Sequence, residues 1–116
     1  EPHSFSNYLQ LAKVCDQLGD AASAEATLKL AVAVWPAAAD PYAMLAQFYL
    51  QGGKAPQARW YAQEAVRREP SAEGYRFVAS TCRLLGDTAA AEAALAQARE
   101  LEPGSPKPPP ASPQRP

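Results

Sequence analysis

The side chains that could do chemistry are few and far apart. His3 is the only histidine in 116 residues, and it stands in a short N-terminal stub, residues 1–4, ahead of any periodic segment. A general base has to be held within reach of the proton it takes, and no element holds this one. Cys15 and Cys82 are the only cysteines, and no Cys-x-x-Cys or His-Glu-x-x-His spacing offers a metal site. Gly52-Gly53-Lys54 comes nearest to a phosphate loop. That loop needs a further glycine where Phe48 stands and a hydroxyl residue where Ala55 stands. Arg59, Arg67 and Arg68 lie near Trp60 and Tyr61, a mixture that nucleic-acid surfaces use. Here the basic groups are interleaved with acids, and a net charge of −1 supplies no field to hold nucleic acid or an anionic membrane. The arginines therefore read as solvated surface charge, and Trp60 and Tyr61 as packing. The expectation is a chain that is not an enzyme, with no catalytic residue, cofactor or bound metal.

The elements that carry these residues repeat. Tyr8-x-x-Leu11-Ala12-x-x-Cys15 is followed by Gly19-Asp20, Ala24-x-x-x-Leu28, Ala31 and Pro36. The same sentence returns as Tyr42-x-x-Leu45-Ala46-x-x-Tyr49, Gly53, Ala58-x-x-x-Ala62, Ala65 and Pro70. It returns again as Tyr75-x-x-Val78-Ala79-x-x-Cys82, Gly86-Asp87, Ala91-x-x-x-Leu95, Ala98 and Pro103. Apolar residues recur at three and four, the period of a helix, with no alternating strand run. Each unit predicts two helices of about 13 residues around a glycine that closes the first helix in the left-handed conformation. Asp20, Asp87 and Ser71 are expected to cap helices, as is Asp40 with Pro41 as first helical residue, while Pro56 fits a first turn. Pro36, Pro70 and Pro103 stop the second helices. Hydrophobic residues make up 47% of the chain, but many are alanines, which favour helix and bury little area. Slim, closely packed helices follow.

Three copies in phase resemble the tetratricopeptide repeat, whose pattern is W-x2-L-G-x2-Y…A-x3-F…P over 34 residues. Tyr stands for the leading Trp, Ala for the first Gly, and Leu or Ala for the later Phe; these places ask for size. The resemblance implies an all-α, right-handed superhelical solenoid of three helix-turn-helix hairpins, at about 5–38, 39–71 and 72–105, within a domain spanning 5–102. One hairpin cannot bury its apolar face alone, and stacked hairpins cover one another. Cys15 and Cys82 then lie on the order of 20 Å apart for helices stacked at 8–10 Å, too far for a disulfide. Two free thiols fit a reducing compartment such as the cytoplasm.

By the same resemblance, the first helix of each hairpin lines an inner groove that holds a protein or peptide segment. The candidate site residues are Leu9 and Lys13 from the first hairpin, with Ser6, Gln10 and Gln17 beside them. Met44, Gln47 and Leu50 come from the second, with Asp40 and Ala43 beside them, and Arg76, Phe77, Ser80 and Arg83 from the third, with Glu73 and Leu84 beside them. Apolar anchors with Lys13, Arg76 and Arg83 would fit a segment of some acidic character. A heat-shock chaperone C-terminal tail is not the expected partner. The two-carboxylate clamp of such repeats falls on Leu9, Lys13, Met44, Glu73 and Phe77, none of the required type, and Glu73 would repel a carboxylate.

Two features lie outside the groove. The last helix meets Pro103-Gly104-Ser105-Pro106 at once, leaving Leu95, Ala98 and Leu101 without a covering helix. Self-association or permanent packing within a larger complex is the alternative function. Residues 103–116 hold proline at seven of fourteen places, so they predict an extended or disordered tail that acts as a spacer. No stretch approaches the roughly 20 apolar residues of a membrane span. The chain opens on Glu1, not Met, so the lack of a signal-peptide pattern says little about location. The Ala-, Arg- and Pro-rich usage resembles that of GC-rich bacterial genomes.

Overall fold

Glycines at one fixed place in each unit turn the chain back on itself: Gly19, Gly53 and Gly86 have φ of 82°, 77° and 81°, where a Cβ would be strained. The computed structural model describes residues 5–102 and contains six helices: α1 (Phe5–Gln17), α2 (Ala21–Val34), α3 (Ala39–Gln51), α4 (Ala55–Arg68), α5 (Ala72–Leu84) and α6 (Thr88–Leu101). No strand occurs among the described residues. The stub with His3 and the stretch from Pro103 lie outside the described residues, as does the side chain of Ser6. The helices pair as α1 with α2, α3 with α4 and α5 with α6. The pairs are joined by α2 against α3 and α4 against α5. The resulting all-α solenoid measures 59 × 36 × 22 Å.

The caps follow the sequence with one exception. Asp20 and Asp87 accept from the Ser23 and Ala90 amides at 3.1 Å, and Ser71 accepts from Gly74 at 2.9 Å. Pro56 sits in the first turn of α4. The exception is α3, which starts at Ala39 with Ala38 as its N-cap and no side-chain cap bond, so Asp40 lies inside the first turn. There it still faces the positive end of the helix dipole.

The core is thin and largely alanine. One cluster joins Ala12, Leu28, Leu45, Tyr49 and Ala58; a second joins Ala46, Ala62, Val66, Val78, Ala79, Cys82, Ala91 and Ala94. Small side chains let helices approach closely, most of all where Gly74 opens α5. A Cβ on Gly74 would lie 2.6 Å from Val66 Cγ1 and 2.9 Å from Ser71 Oγ. Cys82 is buried and Cys15 half-buried, both as free thiols. At the far end Ala98 is not left open as the sequence reading expects. It is 2% exposed, since α5 covers it, and Leu95 packs against the second cluster. Leu101 remains half-exposed.

Polar groups stitch the hairpins together. The Arg68 guanidinium donates to the Pro36 carbonyl at 2.6 Å, to Glu64 Oε1 at 2.8 Å and to the Tyr42 hydroxyl at 2.9 Å. It also lies 3.8 Å from the Tyr42 ring centroid. Arg68 is therefore a staple between the first two hairpins and not solvated charge; Arg67, beside it, is exposed. Tyr61 stacks on Tyr49 at 5.5 Å, whereas Trp60 lies outward, 53% exposed.

On the other side of Tyr49, its hydroxyl donates to Glu25, which also pairs with Lys29 at 3.2 Å. The Tyr49 hydrogen bond holds the Glu25 carboxyl below its usual 4.5. Burial first, then Glu25, pushes the Tyr49 hydroxyl above its ordinary 10.0, so it stays a donor. A carboxylate with a depressed folded-state pKa adds stability above its unfolded value and loses it as pH falls through the folded one. Tyr49→Phe is therefore expected to lower stability by about 1 kcal/mol at neutral pH. The gap should narrow as the pH falls below 4.5, as read by urea titrations at several pH values.

Candidate protein-binding groove

Alanine contacts between the second and third hairpins leave space where larger side chains would have filled it. Two clefts lie between neighbouring hairpins, and the larger of them, about 300 Å³, lies among α3, α4 and α5. Its floor is apolar: Ala43 and Ala46 from α3, Ala62, Ala65 and Val66 from α4, and Phe77 from α5. Its rim holds Gln47, Ser71, Asp40, Glu69 and Glu73. The smaller cleft, about 190 Å³, lies between the first two hairpins, with Ala12, Leu28, Met44 and Phe48 as floor. Lys13, Asp16, Gln17, Gln47 and Gln51 form its edge.

The structure thus brings Lys13, Met44 and Gln47 together in the smaller cleft, and Gln47 and Phe77 in the larger. Leu9 and Leu50 are half-buried against the first core cluster, so much of their apolar surface is already used in packing. Arg76, Ser80 and Arg83 line neither cleft. Arg76 is exposed and pairs with Glu102 at 2.9 Å, and Ser80 Oγ donates to the Arg76 carbonyl at 3.1 Å. Arg83 is exposed in the last turn of α5.

Two features escape a reading based on first helices alone. α4, a second helix, supplies half the floor of the larger cleft, and Glu69 at its end supplies part of the rim. The signal was in the sequence: Ala62, Ala65 and Gly74 are small residues at facing places in consecutive helices. The charge is less mixed than the expected groove, because Arg76 and Arg83 line neither cleft while Glu69 joins Asp40 and Glu73. Asp40, Glu69 and Glu73 give the larger cleft three carboxylates and no cation, while Lys13 and Asp16 balance in the smaller one. Among the described residues, no three of His, Cys, Asp and Glu converge as metal ligands, and no helix is long and apolar enough to cross a membrane.

Residues 5–36, the segment holding α1 and α2, match the family model of the tetratricopeptide repeat. This first hairpin is a tetratricopeptide repeat. α3–α4 and α5–α6 carry the same pattern, with a left-handed glycine after each first helix and buried alanines at matching places in each second helix. Tetratricopeptide repeats generally mediate protein–protein interaction and are typically non-enzymatic adaptors. No curated protein matches the chain.

Proposed function

We propose that this tetratricopeptide repeat chain is a non-catalytic binding module that holds a protein segment along its concave face. The larger cleft carries the reading. An apolar floor ringed by Asp40, Glu69 and Glu73 would accept an apolar side chain, with a lysine or arginine of the same segment meeting the rim. Its volume, about 300 Å³, is at the bottom of the range of small-ligand sites and suits one anchoring side chain of a longer segment. Met44 and Lys13 would receive the next part of that segment in the smaller cleft.

The same rim argues against an acidic C-terminal tail of a heat-shock chaperone. Glu73 stands where a carboxylate clamp needs a cation, and Glu69 and Asp40 add to the repulsion.

Capture of the partner from the source cell by immobilised chain tests the reading. Phe77→Ala combined with Glu73→Lys should weaken capture at least tenfold, since each 1.4 kcal/mol of lost contact is a factor of about ten. Arg67→Ala, on an exposed side chain, should leave it unchanged. Equal capture by the double variant, with helicity intact, would retire the groove.

A further inference from the structure

The larger cleft holds more negative charge than the helices around it neutralise. Asp40, Glu69 and Glu73 stand on its rim, and all three are exposed. Among the described residues none of them meets a cation, whereas Glu25, Glu64, Asp87 and Glu102 each do. Beneath this rim the floor is apolar, from Ala43 on α3 to Phe77 on α5. A segment suited to the cleft therefore combines apolar surface with positive charge.

The chain itself carries such a segment, and it leaves α6 beside the cleft. In the antiparallel stack the C-terminal ends of α4 and α6 lie at the same end of the molecule as the start of α5. Glu69 follows α4 and Glu73 opens α5. The end of α6 is tied to α5, because Arg76 donates to Glu102 Oε2 at 2.9 Å. Arg76 adjoins Phe77 and lies one helical turn from Glu73, both of them cleft residues. Residues 103–116, which follow, carry Lys107 and Arg115, no acid, and proline at seven of fourteen places. At about 3.1 Å per residue of extended backbone, Lys107 reaches about 15 Å from Glu102 and Arg115 about 40 Å. Packed helices lie about 8–10 Å apart. Two such steps, from α5 through α4 to α3, bring Asp40 within the reach of Arg115.

From this exit point and the opposite charges, we infer that residues 103–116 dock in the larger cleft of their own chain. The prolines lie over the apolar floor, and Lys107 and Arg115 meet the rim carboxylates. The inference rests on the reading of this cleft as a seat for a segment with basic side chains, and it adds the regulation of that seat. Proline fixes φ in advance, so docking orders few free torsions. A short tether holds the segment at an effective concentration in the mM range. Even a weak contact then fills the cleft, and a partner segment must displace the tail to enter.

The test uses the full chain with labelled methyl groups. Lys107→Glu with Arg115→Glu reverses the charge of the tail at positions beyond α6, so the core is untouched. The methyl resonances of Ala43, Ala46, Ala62 and Val66 should shift, while those of Ala12 and Leu28 in the smaller cleft stay in place. A free peptide with the sequence of residues 103–116 should move the same four methyls. It should bind the charge-reversed chain about tenfold more tightly than the wild-type chain, whose own tail competes. Larger-cleft methyls that ignore the charge reversal would overturn the proposal, as would equal peptide affinity for the two chains. So would methyl positions that change with chain concentration, which would place the tail in the cleft of a second copy. Partner capture keeps the two readings apart. Unmoved methyls with capture that still depends on Phe77 and Glu73 would remove the tail alone, and unmoved methyls with capture indifferent to both residues would remove the groove as well.

Discussion

Leu45→Ala is expected to cost about 3–4 kcal/mol, as a large-to-small change at a fully buried site does, whereas Leu11→Ala should cost under about 1 kcal/mol. The two leucines hold the same place in consecutive repeats and differ only in what covers them. Leu45 is 0% exposed and is among the largest fully buried side chains in the fold; Leu11 is 55% exposed. In a core built mainly of alanine, one lost isobutyl group has few neighbours able to close in, so the cavity term stays large. Paired urea or thermal titrations of the two variants give the difference directly. Near-equal losses would mean that Leu11 is covered after all.

Arg68→Ala ranks second, at about 3 kcal/mol. The change removes one partner of buried Glu64, and with it those of the Tyr42 hydroxyl and the Pro36 carbonyl. Breaking a buried pair costs more than the pair itself is worth, because the remaining polar groups stay desolvated. Arg68→Lys should recover little, since an ammonium cannot bridge three acceptors as a planar fork does. Arg67→Ala, which loses only a 3.3 Å contact to Glu64 on an exposed side chain, should stay within about 0.5 kcal/mol. Chemical denaturation of the three variants checks the order. A loss at Arg68 no larger than that at Arg67 would reduce the staple to surface charge.

Arg68 also shows where sequence reading stops. Helices, turns and most caps were legible because they depend on local chemistry: Gly19, Gly53 and Gly86 permit a left-handed residue, Asp20 and Ser71 offer an acceptor, and small residues mark close contacts. What Arg68 touches depends on a neighbouring hairpin brought alongside, and no local pattern separates it from exposed Arg67. Asp40 was read as the cap although the helix already starts at Ala39, because Asp-Pro is as well suited to a first turn as to a boundary. Part of the cleft lining was legible in the same sense. The residues that register selected include Met44, Gln47 and Phe77, which line the two clefts. Register could not show that Leu9 and Leu50 are taken up by the core, that Arg76 is tied to Glu102, or that Glu69 from a second helix joins Asp40 and Glu73. Those depend on how the hairpins lean together, which sets the sign of the charge at the cleft.

Site-directed photo-crosslinking tests most directly whether the concave face holds the partner. A photoreactive residue replaces Gln47, which borders both clefts, or Gln63, an exposed residue of α4 that lines neither. In source-cell extract, the Gln47 variant should form a discrete crosslinked species that Phe77→Ala with Glu73→Lys abolishes, and the Gln63 variant should form none. Crosslinks from Gln63 alone, or from Gln47 with no dependence on Phe77 and Glu73, would contradict it.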